Sequence, residues 1–115
     1  MGVKIHVLRC GEICVAPSFA FGGGGFALSQ TQALTLPEEK RLRMPVDVYL
    51  IEHPRGLILV DTGWSRSVSP GGALDMDALR AQTSDFLART YRGRVAQGQT
   101  AAEQLDAMGI KPGDI

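Results

Sequence analysis

Asp61 is the residue best placed to do chemistry in this 115-residue chain. It lies in the run Y-L-I-E-H-P-R-G-L-I-L-V-D-T-G-W at residues 49–64, directly after the apolar segment Leu57, Ile58, Leu59, Val60. A carboxylate at the end of a buried strand has two natural uses. It can accept the N–H groups of its own turn, or it can serve a metal or acid–base site. Thr62 and Gly63 follow it, and glycine there gives the backbone freedom as the chain leaves a sheet. Histidines are the usual partners of such a carboxylate, and the chain has two, His6 and His53. His6 falls on the polar phase of its strand and His53 in a turn, so both read as surface residues; a metal site needs three or four converging donors. Cys10 and Cys14 are the only cysteines. Their C-x3-C spacing is one residue off the common zinc knuckle and no second Cys/His pair follows, so they read as small buried thiols.

The elements that must hold these residues are short. Residues 3–9 alternate Val3, Ile5, Val7 with Lys4, His6, Leu8, the pattern of a half-buried strand. Gly11 and Glu12 allow a turn, and residues 13–16 return as a second short strand. Residues 19–26, F-A-F-G-G-G-G-F, form a glycine-rich loop. It lacks the helix start and lysine of a phosphate cradle, which leaves a loop whose Phe19, Phe21 and Phe26 pack on apolar surface or line a ligand pocket as a flap. Residues 37–43 are polar and read as a solvated connection. Residues 46–51 form a strand, His53-Pro54-Arg55-Gly56 a turn, and residues 57–60 a central strand covered on both faces; two strands joined so closely are antiparallel. Residues 64–72 read as a polar loop.

Two helices follow. Residues 75–91 carry Leu79, Phe86, Leu87 and Tyr91 near helical spacing, with Asp75 or Asp77 as cap and Gly93 as stop. Thr100 and Glu103 make a capping box for a helix over residues 101–108. Gly109 ends it, Ile110 folds back on Leu105, and Pro112 prevents continuation.

Composition bounds the function. The chain has 12 basic and 12 acidic residues. The neutral balance argues against nucleic acid or an anionic membrane as partner. No apolar run reaches the roughly 18 residues of a membrane span, and no secretory leader opens the chain, so the expected compartment is the cytoplasm. The length fits one domain.

R-C-G-E at residues 9–12, P-V-D-V-Y-L-I-E-H-P-R-G-L-I-L-V-D-T-G-W at residues 45–64 and E-Q-L-D-A-M-G-I-K-P-G-D-I at residues 103–115 resemble, in order, the N-terminal part of the metallo-β-lactamase superfamily. The closest branch is that of the N-acyl homoserine lactonase-like hydrolases. The resemblance implies an α/β fold, part of an αββα sandwich with a mixed, mainly antiparallel sheet. It implies two zinc ions and a zinc-bound hydroxide that opens an ester, lactone or lactam. Asp61, Thr62 and Gly63 match the family's first motif, where the aspartate supports the metal site from beneath. The family's main ligands, His-x-His-x-Asp-His, follow the segment that ends here at Ile115, and neither His6 nor His53 matches a ligand position. The chain therefore reads as a partial domain over residues 1–115, with no metal or catalytic ligand of its own and inactive alone. Two alternatives stand beside this. One is half of a split enzyme, completed by a second chain or self-associating through an exposed sheet. The other is a small module that binds an acyl ligand or a protein.

Overall fold

The computed structural model describes residues 2–21 and 34–115. Strands β1 (Lys4–Val15), β2 (Leu42–His53) and β3 (Gly56–Val60) form an antiparallel sheet in the order β1-β2-β3. The β2–β3 hairpin turns at Pro54 and Arg55 with Gly56 at φ 144°. Its register sets Tyr49 opposite Val60 and Ile51 opposite Ile58.

The first strand is longer than its sequence suggests. Gly11 does not turn the chain back. It takes φ 108° in a bulge between Arg9 and Glu12, and β1 runs on to Val15. A bulge puts two residues opposite one and bends the strand without ending it. Here the bend lets Glu12 bridge Arg94, with Glu12 N donating to Arg94 O at 2.9 Å and Arg94 N donating back at 3.0 Å. A Cβ on Gly11 would lie 2.4 Å from Arg94 O, so no other residue fits.

Among the described residues the sheet has one covered and one open face. Leu8, Cys10, Val48 and Leu50 are buried together with Ala101 and Leu105, with Leu57, Leu59 and Ile110 packed against them. The opposite face carries Ile5, Val7, Tyr49, Ile58 and Val60, all exposed. The alternation in β1 is thus real, but its phase is reversed. Val3, Ile5 and Val7 face outward, and His6 shares the inner face, half-buried, with Nε2 2.7 Å from Glu52 Oε2. Strand β3 is correspondingly an edge strand among the described residues rather than a central one. Four apolar residues in a row fit either place, because such a run carries no information about how many neighbours the strand has.

Beyond β3 a 3-10 turn, Arg66–Val68, leads to helices α2 (Met76–Gln82), α3 (Asp85–Tyr91) and α4 (Ala101–Ala107). The expected single helix over residues 75–91 is two. Thr83 Oγ1 donates to Leu79 O at 2.6 Å and Ser84 Oγ accepts from Leu87 N at 3.1 Å, so side chains close one helix and cap the next. Asp75 caps α2 through Ala78 N at 3.0 Å. Arg92, at φ 44°, ends α3 in place of Gly93. Gly93 instead makes room for Trp64, whose ring lies 2.1 Å from where its Cβ would sit. A second core joins Val68, Leu79, Ala88 and Val95 around Trp64, Leu74 and Met76. The helix at residues 101–107 forms with Thr100 as its N-cap, but the expected capping box is only half made, because the Glu103 carboxylate is taken by Arg66. Thr100 Oγ1 accepts from Glu103 N at 3.1 Å, Gly109 takes φ 75°, and Ile110 N returns to Leu105 O at 2.9 Å. Among the described residues no helix is long and apolar enough to cross a membrane.

Candidate functional site

Asp61 leaves β3 in a left-handed conformation, φ 71°, which is uncommon for a residue other than glycine. Its Oδ1 accepts from Thr62 N at 2.6 Å and from Gly63 N at 3.2 Å. Those two backbone bonds, that from Thr62 first, hold its carboxyl below the usual carboxylate range. An exposed carboxylate so held stays ionised at neutral pH. It is suited to fixing a turn or orienting a neighbour, and poorly suited to moving a proton.

The turn is seated on the sheet. Trp64 N donates to Cys10 O at 3.4 Å, and Gly63, at φ 66°, lies over Cys10 so closely that a Cβ would come within 2.5 Å of the Cys10 Cβ. Burial, with the charges of Asp47 and Asp61, pushes the Cys10 thiol up. Cys14 is also pushed up by burial, with a hydrogen bond to Glu38 adding to it. Both are buried free thiols, kept away from the thiolate that reacts or binds metal.

Thr62 and Gly63 form one wall of a cleft of about 710 Å³, mostly apolar, whose other wall is α4 and the segment through Ile110 to Ile115. Leu59, Trp64, Leu105 and Ile110 give it its apolar lining, and Arg66 and Glu103 a polar end. Arg66 is the residue that sequence reading passes over. Its Nε and Nη2 donate to Glu103 at 2.8 and 3.0 Å, and its Nη1 and Nη2 donate to the carbonyls of Ser69, Val95 and Ala96. The Arg66 guanidinium holds the Glu103 carboxyl low. Residues 64–72 are therefore no free polar loop: Val68 and Ser69 are buried, and Ser69 Oγ accepts from Val95 N at 3.1 Å. The only advance sign was an arginine in a polar stretch, whose partners other than Ser69 lie 29–37 residues on.

A second polar cluster ties the far side. Glu38 sits between Arg92 and Arg94, and Arg41, buried, donates to Cys14 O at 3.3 Å and Thr90 O at 3.1 Å. Burial alone would raise the Glu38 carboxyl, but hydrogen bonds from Arg92, Arg94 and Cys14 outweigh it and hold it at about 2. The polar stretch at residues 37–43 is thus anchored at Glu38 and Arg41 rather than solvated.

The other candidate residues stand apart from Asp61. His53 lies at the opposite end of the β2–β3 hairpin, where its Nδ1 accepts from Arg55 N at 3.1 Å. His6 is engaged by Glu52. Phe19 and Phe21 belong to a short helix, α1 (Pro17–Phe21), not to a loop. The Phe19 ring lies 6.1 Å from Tyr91, Phe21 is exposed, and neither lines the cleft beside Thr62. Phe26 and the four glycines before it lie outside the described residues. Among the described residues no group of three His, Cys, Asp or Glu side chains could hold a metal ion. The donor set here therefore does not fit a two-zinc centre.

No protein-family model matches the chain, and no curated protein matches it. Solved structures do. One is an enzyme from a study of how indirect contributions of mutations underlie the optimisation of a new enzyme function. It matches with a TM-score of 0.64 and 24% identity over 98% of this chain and 38% of its own. Another is an N-acyl homoserine lactone hydrolase with the product N-hexanoyl-L-homoserine bound at its catalytic metal centre. It matches with a TM-score of 0.62 and 23% identity over 100% of this chain and 39% of its own. The chain thus spans about two fifths of the length of these structures. At such identity the likeness is one of fold: the chain has the architecture of part of these two structures.

Proposed function

We propose that this chain is the supporting part of a zinc-dependent lactone hydrolase of the N-acyl homoserine lactonase kind. In this reading the Asp61-Thr62-Gly63 turn lies beneath the metal centre, and the zinc ligands come from outside these 115 residues, on a longer chain or a complementing one. The observation that carries the reading is the turn itself. A left-handed aspartate, its oxygen fixed by two backbone N–H groups, stands at the end of β3 in a fold shared over its whole length with a lactone hydrolase. A carboxylate held this way is an orienting group, the role of outer-shell partners at metal centres. The residues here carry no step of the hydrolysis, and the chain alone is inactive.

The test is reconstitution. The 115-residue chain is purified, and zinc content and hydrolysis of N-hexanoyl-L-homoserine lactone are measured, alone and after co-expression with the remaining three fifths of the matched hydrolase. Alone it should give neither; together, both. In the reconstituted enzyme Asp61→Ala should weaken zinc binding about 10–100-fold. Stoichiometric zinc and turnover from the chain by itself would defeat the proposal.

The apolar cleft favours a second reading, a small acyl-binding module. Trp64, the only tryptophan, lines that cleft. Saturable change in its fluorescence on titration with N-hexanoyl-L-homoserine, without zinc, would support this reading over the first.

A further inference from the structure

We draw no further inference here: the strongest candidate, the cleft of about 630 Å³ that Arg9, Arg43, Arg94 and Gln99 line beside the β1 bulge, carries nothing because its arginines are already held by Asp47, Glu12 and Glu38 and nothing in the structure shows what covers the outer sheet face on which Arg9 stands.

Discussion

Gly63→Ala tests whether the turn after β3 is as tightly seated on the sheet as the geometry says. Two penalties act at this position. The φ of 66° is left-handed, which disfavours a residue with a Cβ by about 1–2 kcal/mol. The new methyl would also lie 2.5 Å from the Cys10 Cβ, and 3.3 Å from both Cys10 O and Val48 Cγ2. Those atoms belong to the buried core, so relief requires the turn or the sheet to shift, an overpacking cost of about 1–3 kcal/mol. The sum is about 2–5 kcal/mol, a large share of the 5–15 kcal/mol by which a domain of this kind is ordinarily stable. Gly98 supplies the control. It has φ 79° but nothing within 4 Å of its would-be Cβ, so Gly98→Ala carries only the backbone term. Urea unfolding of both variants, followed by circular dichroism, gives the difference directly. Gly63→Ala should lose at least 1 kcal/mol more than Gly98→Ala. Equal losses would mean that the turn is not pressed against Cys10, and the support role given to it would go with that.

Three more measurements bear on the polar anchors and the thiols. Glu38 has a folded-state carboxyl at about 2 against an ordinary 4.5, so it contributes stability above pH 4.5 that is lost as pH falls toward 2; Glu38→Gln should flatten this acid limb of a stability–pH curve, and an unchanged limb would count against the cluster. Arg66→Lys cannot keep the two-pronged contact with Glu103 along with the carbonyls of Val95 and Ala96, and should cost about 2–4 kcal/mol in urea unfolding; a loss under 0.5 kcal/mol would show the hub to be dispensable. Cys10 and Cys14 should resist a thiol reagent at pH 8 until the chain is unfolded, whereas prompt labelling of the native protein would contradict their burial.

What could be read from the sequence divides by the range of the interaction responsible. The helix at residues 101–107 was legible to within a residue because its main signals are its own: Thr100 at the start, Gly109 and Pro112 at the end, whereas the Glu103 carboxylate goes to the distant Arg66. The β2–β3 hairpin was legible for the same reason. The break between residues 82 and 85 was local too, but Thr83 and Ser84 are ambiguous until one knows that they bond backward and forward respectively. The motif around Asp61 pointed to the fold, and the solved structures agree on the fold.

Long-range choices were not legible, and the sheet shows why. Alternation in β1 says that one face is buried but not which. Val3, Ile5 and Val7 are as apolar as anything on the other phase, so composition favours burying them. The decision is made nearly a hundred residues later, where Ala101 and Leu105 cover Leu8 and Cys10. Gln104 fixes the choice by donating from Nε2 to Arg9 O at 2.8 Å. The same helix therefore settles three things at once: it covers the inner face, forms one wall of the cleft beside Thr62, and leaves Ile5, Val7, Ile58 and Val60 outside. The outward apolar rows are thus the direct consequence of which face α4 takes. A substitution that loosens α4, such as Leu105→Ala, should expose the inner face as well, and so raise binding of a hydrophobic dye and lower urea stability by about 2–5 kcal/mol. A Leu105→Ala protein with unaltered dye binding and stability would mean that α4 does not choose the face.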